Sequence, residues 1–331
     1  MSWKRRLRGA LDGAAQATGV LAAFELRRAA HPLVLMHHRV LPRAQGLDYP
    51  FPSLVLDVES FEAEVAWLAA NCEVLTLEAA FNGARRTARR VCVLTFDDGY
   101  ADNFELAAPI LERHGVRGVF FVATDFVGQR EPLWYDRAAL AWRALAPRLL
   151  DQERARLELE TSAAVGEVVQ ALKRLAPAER RACIERWEAH VGLVDTAAFA
   201  PMNPTQVREL ALRGHEIGAH SVSHAMLPQC DDAQLERELV ESRARLREWT
   251  SAPVTSLCYP DGAHDARVVA AAQRAGYALA CTTQPPQAAA ARELLRVARI
   301  DITRERICDV HGRFDPLALR AELAGFHEAL R

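Results

Sequence analysis

The segment LTFDDGY sets two carboxylates, Asp97 and Asp98, side by side directly after an apolar run. Neighbouring carboxylates repel unless a cation, a proton or good hydrogen bonds offset the repulsion. Far along the chain, GHEIGAHSVSHAML carries His220 and His224, four residues apart. On a helical turn that spacing would point both imidazoles the same way. Two imidazoles and one carboxylate form a facial ligand set suited to zinc or another divalent transition metal, with positions left open for water and substrate. On this reading Asp98, His220 and His224 hold the ion. Asp97 stays free to take a proton from a water whose pKa such an ion lowers towards about 7. The chemistry implied is hydrolysis. Each pair has a plainer explanation when taken alone, surface or capping histidines for the one and a turn or helix cap for the other. The weight lies in their occurring together at the ends of separate strands.

Those strands are short apolar runs that alternate with longer helical patterns, which predicts an α/β fold with parallel strands. LVLM ends in His37 and His38, VCVLTF in Asp97 and Asp98, GVFFVAT in Asp125, EIGA in His220, SLCY in Pro260 and Asp261, and YALACTT in two threonines. Parallel strands with helical returns bring all their C-terminal ends to one rim, where barrels of this kind build active sites. Helices are expected at about 59 to 70, 102 to 114, 204 to 213, 232 to 249 and 265 to 275 from their apolar periodicity. From about 136 to 200 the chain is rich in Ala, Leu, Arg and Glu without a strand signal, which predicts a helical insertion on the rim side. The expected organisation is an N-terminal amphipathic helical segment at 1–30, a barrel with its insertion at 31–310, and a C-terminal helix at 311–331.

The bulk composition suits a globular enzyme: of 331 residues, 50% are hydrophobic and 25% charged. With 41 basic against 43 acidic residues the formal net charge is -2, so no nucleic-acid partner is expected. The seven cysteines include no C-x-x-C pair and several sit in apolar runs, which predicts reduced core thiols and a cytoplasmic location. The first thirty residues lack the clean apolar block of a signal peptide and the roughly 20 apolar residues of a spanning helix. They are expected to form a helix packed on the domain. The basic cluster Lys4, Arg5, Arg6 and Arg8 is the feature that would suit a peripheral membrane contact instead.

TFDDGY and HSVSH together resemble the first two motifs of the polysaccharide deacetylases of carbohydrate esterase family 4, also called the NodB-homology domain. Similarity extends over roughly residues 32 to 128 and 200 to 303. The resemblance implies a distorted (β/α) barrel of seven strands, TIM-like in plan. It implies Asp97 as general base and Asp98, His220 and His224 as the ligands of a divalent ion, zinc by first expectation. CYPDG at 258 to 262 looks like the third motif, which makes the backbone N–H of Asp261 an oxyanion donor and places Tyr259 and Pro260 along the pocket. LMHHRV resembles the early M-Y-H-[RD] motif of a subgroup, with His37 in the tyrosine position, and so assigns His38 as the acid that protonates the leaving amine.

Two departures stand out. The family usually has an aromatic residue where this chain has Asp261, and the arginine that often precedes that motif is absent from its place. Arg299 in RVARID could replace the missing cation beside Asp97. Trp134 and Tyr135, at the junction of barrel and insertion, offer aromatic faces for sugar rings, although ordinary packing explains them equally well. The expected substrate is an N-acetylated carbohydrate, whether polysaccharide, oligosaccharide or lipid-linked sugar. The rival readings are a hydrolase of C–N bonds in other linear or cyclic amides and a glycan-binding protein without turnover.

Overall fold

The computed structural model describes residues 3–28, 31–83, 88–129, 131–192, 196–283 and 293–330. Each of the six apolar runs forms a strand: Leu33–His37, Arg90–Phe96, Val119–Val122, Glu216–Ala219, Ser256–Cys258 and Leu279–Thr282. They pair in parallel and in chain order. A seventh strand closes the ring. Val297–Ala298 pairs with Leu279–Thr282, Ile300–Asp301 pairs with Leu33–His37, and only Arg299 lies between the two halves. One broken strand therefore reaches both edges of the sheet, and the result is a nearly closed barrel of the expected (β/α)7 type.

The period of two along a strand decides what fills the barrel. Val34, Val91, Val93, Val119, Phe121, Cys258, Leu279, Cys281 and Val297 form one buried cluster inside. The alternate residues, such as Leu35, Leu94, Phe120 and Leu257, join the larger core under the helices. Continuing the inward parity by one or two steps leads to His38, Asp97, His220 and Arg299. Strict alternation thus stacks apolar side chains through the barrel and delivers reactive ones at its C-terminal end.

The return helices fall where periodicity places them, at Val58–Asn71, Pro204–Leu212, Asp232–Thr250 and Ala266–Arg274. Each begins with a side-chain cap, from Asp57, Asn203, Asp231 and Asp265 in turn. The helix expected at 102 to 114 is divided into a π-helical turn at Asn103–Ala107 and an α-helix at Ala108–Arg113. The amide of Asn103 in that turn donates to the carbonyl of His38 at 2.8 Å, tying the turn to the rim.

The insertion consists of four helices, Trp134–Ala144, Pro147–Arg156, Val165–Arg174 and Pro177–Val191. They share a small core that includes Trp142, Leu172, Ile184 and Trp187. On the flank, helices Trp3–Ala17 and Val20–Arg28 lie near helix Pro316–Ala324, with Leu21 and Phe326 buried between them. The first helix is amphipathic as expected, but it is turned over. Asp12 and Ala15 are buried, whereas Trp3, Leu7 and Leu11 are exposed. An ion pair from Asp12 to His327 at 2.6 Å holds the polar side inward. Among the described residues no helix is long and apolar enough to cross a membrane.

Candidate active site

Asp97 and Asp98 leave the second strand in different directions because the backbone changes hand between them. Had Asp98 continued the strand, its side chain would face the helices; at φ 78°, followed by Gly99 at 96°, it turns over the barrel mouth. The turn is fixed by Gly99 N–H donating to the Asp97 carbonyl and Ala123 N–H to that of Asp98. Asp98, Ser221, His224 and Asp261 are four of the six non-glycine residues with positive φ among the described residues. Left-handed backbone is unfavourable for such side chains and survives where the surroundings impose it, commonly at functional sites.

One oxygen of Asp98 lies 3.4 Å from Nε2 of His220 and 3.3 Å from Nε2 of His224. All three residues are buried, and their donor atoms lie within 4.8 Å of one another. Nδ1 of His220 is 2.8 Å from the carbonyl oxygen of Cys258, so that nitrogen carries a hydrogen and Nε2 is the ring atom that faces Asp98. Donation of the second ring nitrogen to a carbonyl is how ligating histidines are usually oriented. Burial pushes His224 down towards the neutral form, against its hydrogen bond to Asp98. Burial would raise Asp98, but the two imidazoles outweigh it and hold the carboxyl well below its ordinary value. An ionised carboxylate with two convergent imidazoles fits a divalent ion such as zinc.

Asp97 has different company. Arg299 grips both its oxygens, Nη1 on Oδ1 and Nη2 on Oδ2, each at 2.7 Å. Burial favours the neutral acid, yet the guanidinium more than compensates and Asp97 is held below the usual carboxylate range. Nε2 of His38 lies 3.9 Å from the same carboxylate. His38, Asp97, Asp98, His220, His224 and Arg299 all line one cavity of about 380 Å³. The helix Val165–Arg174 borders it with Val169, Gln170 and Lys173, and the ammonium of Lys173 meets the carboxylate of Asp261 at 2.5 Å.

A family model for polysaccharide deacetylases matches residues 84–280, more than half of the chain. The chain belongs to the polysaccharide deacetylase family. YxkH of Bacillus subtilis (strain 168) is 20% identical over 255 residues, 76% of this chain and 67% of that one. The Streptococcus pyogenes deacetylase PplD in complex with acetate superposes with a TM-score of 0.55 at 19% identity, over 82% of this chain and 92% of that one. A de-N-acetylase from Aggregatibacter actinomycetemcomitans gives 0.51 at 15% identity, over 82% and 95%. At these identities the structural likeness speaks for the fold.

Several expectations for this deacetylase need correction. His220 and His224 do not share a helical turn. They lie on an irregular loop that Ser221 and His224 bend through left-handed conformations, at φ 63° and 53°, and this bend brings their rings to 4.8 Å. Tyr259 and Pro260 are buried behind the cavity wall rather than along it. The Tyr259 ring stacks on His264, and its hydroxyl donates to the Leu295 carbonyl. Trp134 faces Arg180 at 4.4 Å, because its neighbour Tyr135 takes the direction of the site. Arg299, expected from the sequence both as a replacement cation beside Asp97 and as a substrate-binding residue, stands in the first place, with its two Nη groups on the Asp97 carboxylate. His37 points away from the rim onto the buried Glu64 carboxylate at 3.1 Å.

Two supporting roles were not read from the sequence. Tyr135 donates its hydroxyl to the second oxygen of Asp98 at 2.7 Å. Behind it Tyr100 and Tyr49 donate to Asp136, whose carboxyl burial pushes up to about 7. Glu238, fully buried, accepts from the backbone N–H groups of Val222 and Ser223 at 2.9 Å each and from the Ser223 hydroxyl at 2.6 Å. It clamps the loop that carries both histidines. A signal existed for Glu238, since it falls on the buried stripe of its helix with Leu235, Leu239 and Leu246.

Proposed function

We propose that this polysaccharide deacetylase removes N-acetyl groups from an N-acetylated glycan with the help of a divalent ion, zinc in the first instance. The observation that carries the reading is the convergence of Asp98, His220 and His224 beside a separate, arginine-held Asp97 in one cavity. An ion held by those three ligands would polarise an amide carbonyl and acidify a water. Asp97 is the base that takes the water's proton, and Arg299 keeps it ionised and aimed. The backbone N–H of Asp261, which lines the same cavity, donates to the developing oxyanion. His38 gives the proton that lets the amine depart. Acetate and a free amino sugar are the products.

The seven cysteines, all buried free thiols, support a reducing, cytoplasmic setting. Acetate release from N-acetylglucosamine oligomers by the purified chain tests the substrate class. Turnover of small cyclic amides without acetate release would favour the general C–N hydrolase, and stoichiometric glycan binding without any product would favour the non-catalytic scaffold.

A further inference from the structure

Helix Trp3–Ala17 carries its amphipathic pattern the wrong way round for a helix packed on a protein core. Trp3, Leu7 and Leu11, spaced by four, are 68%, 50% and 41% exposed. The next helix adds Val20 and Leu26, so five of the nine large hydrophobic side chains exposed among the described residues fall within the first 26. The other four, Leu47, Leu212, Val240 and Leu294, are scattered singly, as is ordinary on any surface.

The exposed charges on the two helices themselves are basic, although Glu305 lies 3.9 Å from Arg5 and Glu328 pairs with Arg28. Arg6 and Arg27 are exposed and Arg5 and Arg8 are partly so. Asp12, the one acidic residue of the first helix, is buried against His327, and Glu25 of the second is held by Arg320 at 3.1 Å. An apolar ridge flanked by guanidinium groups on a chain of net charge -2 is a local feature, and its chemistry matches an interface that is apolar just beneath a layer of negative charge.

We infer that helices Trp3–Ala17 and Val20–Arg28 are an interfacial anchor that docks the enzyme on an anionic lipid bilayer. Trp3, Leu7 and Leu11 enter the boundary of the acyl chains while Arg6 and Arg27 meet the headgroups. The inward ion pairs of Asp12 and Arg320 keep the apolar ridge outward before any membrane is met.

Flotation of the full chain with vesicles of phosphatidylcholine, alone or mixed with phosphatidylserine, tests this directly. The wild type should favour the anionic vesicles by roughly tenfold or more and lose that preference at high salt. Leu7→Glu with Leu11→Glu should abolish flotation, and Arg6→Glu should weaken it roughly fivefold or more by reversing the charge. Deacetylation of a water-soluble oligosaccharide should be unchanged in all of them, and because flotation reads no catalysis it stands or falls apart from the proposed activity. Failure of the wild type to bind, or equal binding to neutral vesicles, would overturn the inference. So would a dimer that Leu7→Glu dissociates, since the ridge would then belong to a second copy of the chain.

Discussion

The molecule contains two buried clusters built from the same materials, and they do different things. On the flank, His327 sits between Asp12 at 2.6 Å and Glu322 at 2.9 Å, with one ring nitrogen for each carboxylate. At the rim, His220 and His224 both turn Nε2 towards one oxygen of Asp98, at 3.4 and 3.3 Å. In the flank triad both ring nitrogens are consumed by hydrogen bonds, one to Glu322 at the end of the preceding helix and one across to Asp12 of the first helix. At the rim the second nitrogen of His220 is parked on a carbonyl, and the two Nε2 atoms converge on one carboxylate oxygen beside a cavity. Residue type is shared; what separates a staple from a ligand set is whether the ring nitrogens take separate partners or converge on one carboxylate at the wall of a cavity.

The sharpest way to break the comparison is to remove one member from each cluster. Asp98→Asn should abolish both metal retention and acetate release, read by elemental analysis and turnover. Asp97→Asn should keep the metal but lower turnover by roughly a hundred- to ten-thousand-fold, the usual contribution of a positioned general base. His38→Ala should follow it, with a deep loss of turnover at intact metal content.

Smaller effects sharpen the same contrast. Glu238→Gln or Tyr135→Phe leaves all ligands in place but loosens their supports, and should weaken metal affinity by roughly ten- to a hundredfold. Arg299→Ala removes the cation that depresses Asp97, so the carboxyl should rise and the acid limb of the pH–rate profile should move to higher pH. In the flank cluster, burial opposes protonation of His327 but the two carboxylates prevail and raise it to about 9. A raised histidine stabilises fully below its unfolded value of about 6.5 and loses that contribution as pH climbs through about 9. His327→Gln should therefore lower Tm clearly at pH 6, by the equivalent of about 3 kcal/mol, and progressively less towards pH 10, while turnover at neutral pH stays as it was.

Much of this was legible because strand ends and apolar runs are local signals. LVLM, VCVLTF and EIGA announced both the strands and the residues they deliver. The closing strand was not seen, since its two halves pair over only two residues each and Arg299 and Asp301 interrupt any apolar run. Spacing by four at His220 and His224 suggested a helix, but Glu238 imposes another shape from a helix that begins eight residues after the second histidine. Long-range clamps of this kind leave no mark near the residues they control. Trp134 and Tyr135 show the same limit, for a rotation of one residue decided which of them meets Asp98.

The claim on which the rest depends is that Asp98, His220 and His224 hold one ion that hydrolysis requires. Its most direct measurement is acetate release from N-acetylglucosamine oligomers as zinc is titrated back into chelated protein. Activity should be negligible at the start and rise to a plateau at one ion per chain. Full activity before any zinc is added, or a titration without effect on acetate release, would contradict the account.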